Sequence, residues 1–155
     1  MRKSSYQIVP LPTEVAQAAR LRVQEDASDH RLVRAEMPRT YPCRHCLRWA
    51  QPGEDVVLFP YSSIPAGHPY AESGPIFVHA DACERYHSTD EYPDAFREGR
   101  VMRAYDKSYD MIAAEFPDAN APESLIEKLL AHPATAFLQV HSLDRGCYTF
   151  RIERA

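Results

Sequence analysis

Apolar residues in this chain fall in short runs, divided by polar stretches that often carry proline. "YQIV" (6–9) reads as a strand stopped at Pro10, since proline cannot donate to a sheet ladder. Thr13 follows as the N-cap of a helix through Val23, with Val15, Ala18 and Ala19 on one face. "QEDASDHR" reads as a loop and "RLVRAEM" as a strand ended by Pro38. "DVVLFPYS" (55–62) has the composition of a buried strand broken at Pro60. The loop "SIPAGHPYAESG" and the strand "PIFVHA" (75–80) come next.

The second half is patterned more clearly. "VMRAYD" and "MIAAEF" flank "KSY" as a hairpin. "PESLIEKLLAHP" places Leu125, Ile126, Leu129 and Leu130 on one helical face, with Pro122 near the start and Pro133 at the end. In the last pair, "TAFLQVHSL" and "GCYTFRIER", the residues Ala136, Leu138 and Val140 match Tyr148, Phe150 and Ile152. The expected fold is α+β, a mostly antiparallel sheet with two or three helices and a zinc-knuckle-like Cys/His element.

Composition changes this picture little. The 155 residues are expected to form a single domain, 1–155, long enough to bury a core. Thirteen prolines against five glycines point to many fixed bends. A net charge of −4 argues against broad attraction to nucleic acid, leaving only a local basic patch for such a partner. No run reaches the length of a membrane helix. The N-terminus turns polar and proline-broken where a signal peptide would be apolar. Cytoplasm is therefore the expected compartment, where thiols stay reduced.

The cysteines and histidines carry the chemistry. Cys43 and Cys46 have the Cys-x-x-Cys spacing that lets a tight turn aim two sulfurs at one ion. "HADAC" supplies His79 and Cys83. Three thiolates and one imidazole suit tetrahedral zinc, and four protein ligands would close the coordination shell, as in a structural site. Returning the chain across residues 47–78 costs on the order of 3 kcal/mol in closure entropy. Structural zinc contributes apparently about 10–16 kcal/mol at neutral pH, which offsets it. Two other readings remain at this point. The cysteines can be small buried residues, or Cys43 and Cys46 a redox couple, although no βαβ unit surrounds them. Spacing also allows Cys147 in place of Cys83.

A second polar cluster comes from the last hairpin. Pairing by apolar alternation sets Val140 opposite Tyr148 and Leu138 opposite Phe150, across the loop "SLDRG". His141 then faces Cys147, Gln139 faces Thr149 and Phe137 faces Arg151. A thiol beside an imidazole is a candidate nucleophile, so Cys147 and His141 are the catalytic candidates. Arg103, Tyr105 and Arg151 are candidates for holding an anionic substrate. The plainer reading is the polar outer face of a half-exposed sheet. The chain has no Gly-rich phosphate loop, no Gly-x-Ser-x-Gly elbow and no His-Glu-x-x-His motif.

Two resemblances follow from these residues. Cys-x-x-Cys, then Gly53-Glu54, a strand and His…Cys is similar in layout to treble-clef and poly(ADP-ribose) polymerase-type zinc fingers, with a His-to-Cys gap one residue longer. That likeness implies a contact surface near the metal, for which Arg44, His45, Arg48 and Trp49 are the candidates. The blocks "YPCRHCL", "PYAESGPIFVHADAC", "RAYD" and "GCYTFRIER", spanning about residue 30 to the end, resemble the bacterial domain-of-unknown-function family DUF-1203. This implies a small single-domain bacterial protein and carries over no activity. The expected function is a zinc-clamped binding or interaction module. The alternatives are a small enzyme using Cys147–His141 or an open metal position, and a zinc-finger-like nucleic-acid binder.

Overall fold

A computed structural model describes residues 3–155. Among them are two α-helices and ten strands, so the fold is α+β and mostly sheet. The chain is divided between two units. One comprises the N-terminus to Val9, Ser63–Glu72 and Ser88–Ala155; the other comprises Pro10–Ser62 and Ser73–His87.

The unit of Pro10–Ser62 and Ser73–His87 (the Pro10–His87 unit) holds a mixed five-stranded sheet in the order β2 (Arg31–Arg34), β5 (Asp55–Tyr61), β6 (Gly74–His79), β3 (Pro42–Cys43), β4 (Arg48–Trp49). All its pairings are antiparallel except β3 with β6, where Cys43 lies beside Phe77. Helix α1 (Thr13–Gln24) buries Ala16 and Ala19 among Val57, Phe59, Ile76, Val78, Cys43 and Cys46. Ala18 is exposed, so the buried stripe is rotated from the expected one. Pro12 stands at the N-cap, and no side chain caps the helix. The Thr13 hydroxyl is bound instead to His45, 2.9 Å away. β5 runs through Pro60, which pairs with Pro75, because two prolines facing each other withhold their missing donors from the same ladder position.

The other unit has an antiparallel sheet in the order β1 (Tyr6–Val9), β10 (Tyr148–Arg154), β9 (Phe137–Ser142), β7 (Arg100–Tyr105), β8 (Met111–Glu115). Helix α2 (Pro122–Ala131) packs on β9. It buries Ile126, Leu129 and Leu130 of the four residues expected, with Pro122 in its first turn, and leaves Leu125 half-buried. Phe150 is packed by Tyr92 and by Phe96. Ile64, Tyr105 and Phe137 form a further apolar cluster with Tyr109 and Met111 beside it.

The register of the last hairpin differs from expectation. Val140 pairs with Phe150 and Leu138 with Ile152, two positions beyond the partners that alternation suggested. A bulge between Tyr148 and Phe150 adds one residue to β10 and moves Tyr148 onto the His141 row. Gly146, at φ +74, takes the left-handed conformation that closes the turn.

Candidate metal centre

Three short elements converge on one point. β3 and β4 form a two-residue-per-strand hairpin around Arg44–Leu47, closed by the Leu47 N–H donating to the Cys43 carbonyl at 2.9 Å. Leu47 turns the chain at φ 55, a left-handed conformation that strains any residue with a Cβ. This knuckle places Cys43 and Cys46 on one side. The end of β6 brings His79, and the following segment brings Cys83. The ligand atoms of Cys43, Cys46, His79 and Cys83 all lie within 4.8 Å of one another, and such a set can hold a metal ion.

Two of the spacings match a tetrahedral zinc site. Bonds of 2.3 Å to sulfur and 2.0–2.1 Å to nitrogen set two sulfurs about 3.8 Å apart and a sulfur and a nitrogen about 3.5 Å apart. The Cys43 and Cys83 sulfurs are 3.8 Å apart, and Cys46 Sγ lies 3.4 Å from His79 Nδ1. The other ring nitrogen, Nε2, faces Glu54 Oε2 at 3.5 Å. A carboxylate behind a histidine fixes its tautomer and leaves the facing nitrogen free to bind metal. Glu54 reaches this position from the Pro52-Gly53 turn, where Gly53 adopts φ +94.

Other donors surround the sulfurs. The His79 N–H points at Cys43 Sγ, 3.3 Å away. Arg48 donates to Cys46. His45 Nδ1 lies 3.0 Å from Cys83 Sγ, and Arg20 Nη2 donates to the same sulfur at 3.5 Å. Arg20 also donates from Nε to the His79 carbonyl at 2.9 Å. Thr13 and Arg20 stand two turns apart on α1 and so share a face. Burial holds the His45 pKa below its ordinary value, and a neutral ring can donate from Nδ1 while Nε2 accepts from Thr13. Three thiolates, one imidazole and a divalent ion sum to −1, which the Arg20 guanidinium offsets.

The electrostatics of the four side chains favour a central cation. Hydrogen bonds from Cys46 and Cys83 hold the Cys43 thiol well below the usual thiol range. Hydrogen bonding to the Cys43 and Cys46 sulfurs pushes His79 up to about 10, against the effect of burial. Cys83 is raised by its hydrogen bonds to the same two sulfurs and by desolvation. A metal ion held among these groups would supply the positive charge that the Cys43 thiolate draws from His79.

The structure brings together all four residues that the spacing singled out, and Cys147 is not among them. Glu54, His45, Thr13 and Arg20 were not expected as supports of the site. Only Glu54 left a trace in the sequence, as part of the Gly-Glu step. Arg44 and His45, two of the four candidates for a contact surface, are buried at 3% and 1% exposure and do not contribute to one. Arg44 donates inward to the Pro42 carbonyl at 2.8 Å. Arg48 is exposed and Trp49 half-buried.

The second cluster is rearranged by the longer turn, which takes in Cys147, and by the bulge beyond it. His141 pairs with Tyr148 rather than Cys147. Its Nδ1 lies 2.8 Å from the Gly146 carbonyl and its Nε2 2.8 Å from Gln139 Oε1. The Cys147 sulfur lies 4.0 Å from the Arg145 carbonyl. Arg151 pairs with Gln139, not Phe137, yet its guanidinium lies 3.9 Å from the centre of the Phe137 ring. Arg103 donates to Glu72 at 3.2 Å, and Arg151 Nε lies 2.7 Å from Glu153 Oε1. Tyr105 is 1% exposed and stacks on Phe137, as a core residue does.

The profile of the family described as Protein of unknown function (DUF1203) matches residues 40–154. The chain belongs to that family, and the match spans the metal group and both last strands. No curated protein and no solved structure matches the chain. Among the described residues no helix is long and apolar enough to cross a membrane.

Proposed function

We propose that Cys43, Cys46, His79 and Cys83 bind one zinc ion that clamps the Pro10–His87 unit, and that the protein is a binding or interaction module. The observation that carries this reading is the match of the 3.8 Å sulfur–sulfur and 3.4 Å sulfur–nitrogen separations to tetrahedral zinc. Thiolate-rich sets favour zinc over hard cations such as magnesium or calcium, which take oxygen ligands. Four protein ligands leave no open position for substrate, so the metal is structural. All four cysteines are free. The three ligand thiols need a reducing compartment such as the cytoplasm to stay available.

Metal analysis of natively purified protein tests the reading, with about one equivalent of zinc expected. Cys83→Ser should lower both metal content and thermal stability, while Cys147→Ser should leave both unchanged. The reverse pattern would reassign the ligand set. A crystal measured at the zinc absorption edge would show the ion and its ligands directly.

A further inference from the structure

The ligand sulfurs do not share one environment. Cys43 is 0% and Cys46 3% exposed, whereas Cys83 is half-buried and lines an open cleft of about 290 Å³. Donors converge on its sulfur from His45 and Arg20. The Cys43 sulfur stands 3.8 Å away, near enough to form a bond after a modest approach. Bound to a metal, Cys83 would be a thiolate, and a reachable thiolate with a second sulfur poised beside it is the arrangement of an oxidant-sensitive cysteine.

We propose that Cys83 is an oxidative modification site for small neutral peroxides, and that its capture by Cys43 expels the metal. The proposal rests on the zinc reading above. The Cys83 sulfur attacks one peroxide oxygen, so that an S–O bond forms and the O–O bond breaks. The departing hydroxide takes up a proton and leaves as water. The Cys43 thiolate then attacks the Cys83 sulfur, the S–S bond forms, and the S–O bond breaks with loss of a second hydroxide, also protonated to water. Two thiolates have given up two electrons and the peroxide has accepted them. Only Cys46 and His79 remain as ligands, too few to hold zinc against solvent.

The cleft selects the oxidant. Glu54, Asp55, Asp81 and Glu84 line it together with Arg48 and His79. With Asp55 paired to Arg34 and Arg20 beside the sulfur, the remaining acidic excess disfavours anionic oxidants and leaves hydrogen peroxide unaffected. Both other sulfurs neighbour Cys83; Cys43, 3.8 Å away, is assigned as the resolving partner because Cys46 Sγ is also engaged with His79 Nδ1.

Zinc-loaded protein, its metal content measured beforehand, is treated with hydrogen peroxide beside a chromophoric chelator and then digested with trypsin. Cleavage after Arg44 separates Cys43 from Cys46, so mass spectrometry can tell the bridges apart. Metal release is expected to track a Cys43–Cys83 cross-link, and dithiothreitol with added zinc should reverse both. Oxidised glutathione should act at least about tenfold more slowly, and Cys147→Ser should release metal like the parent. Bound zinc that stays in place while Cys147 is oxidised would overturn the proposal alone. So would release through a Cys43–Cys46 or Cys46–Cys83 bridge, or equal rates with the two oxidants. Less than about half an equivalent of zinc at the outset would overturn the zinc reading, and this proposal with it.

Discussion

The Glu54 carboxylate stands 3.5 Å from Nε2 of His79, across the ring from the nitrogen that faces Cys46. The carboxylate holds the His79 ring with Nδ1 toward the sulfurs, the orientation that a metal ligand would need. Loss of such a carboxylate typically costs 10–100-fold in metal affinity. Glu54→Ala should therefore bind zinc roughly 10–100-fold more weakly while keeping one site per chain. Competition against a chelator of known affinity would measure it, and unchanged affinity would remove Glu54 from the site.

Chelation should act on folding as well as on binding. Apparent zinc binding of about 10–16 kcal/mol matches or exceeds the whole stability of an ordinary domain, about 5–15 kcal/mol. Stripping the metal should lower the melting temperature and raise hydrogen exchange first in residues 10–62 and 73–87. An exchange map that changed equally throughout would contradict a metal role confined to that unit.

Leu47 sets two effects against each other. Its φ of 55 costs about 1–2 kcal/mol, which glycine would relieve. Its side chain, however, is 1% exposed, and removing a buried leucine costs about 2–5 kcal/mol. Packing prevails, so Leu47→Gly should destabilise by roughly 1–3 kcal/mol in denaturant titrations. A stabilised variant would mean that strain at the knuckle outweighs its packing.

Burial raises the pKa of Tyr92, whose hydroxyl donates to the Phe96 carbonyl at 2.8 Å. Tyr6 and Tyr105 shift the same way for the same reason. A folded-state pKa above the unfolded value near 10 means that the fold favours the protonated phenol. That contribution is intact below about pH 10 and is lost as pH rises beyond it. Alkaline unfolding should coincide with phenolate absorbance, and Tyr92→Phe should weaken the coincidence while costing about 0.5–1.5 kcal/mol at neutral pH.

The Cys/His group was legible because its meaning lies in spacing: Cys43 with Cys46 and His79 with Cys83 are local pairs. The supports were not, since Thr13 and Arg20 reach the sulfurs only after α1 has packed on the sheet. Arg44 and His45 read as surface groups because charged and polar letters usually are, and only the knuckle's closure buries them. The α2 face followed from simple periodicity. The β9–β10 register did not, because the turn takes in Cys147 and Thr149 adds a further residue, and alternation reveals neither. The two-residue strands β3 and β4 are too short to leave a pattern.

The chain passes between its two units four times, at Val9–Pro10, Ser62–Ser63, Glu72–Ser73 and His87–Ser88. No single cut therefore yields either unit whole. A nick within residues 63–72 severs the segment that carries Ile64 and Glu72 and also breaks the path between β5 and β6. Truncation cannot dissect this protein, and neither unit can be inherited or exchanged as a contiguous cassette. Separating them for study would require internal deletion with a short bridge in place of 63–72, or a permuted chain.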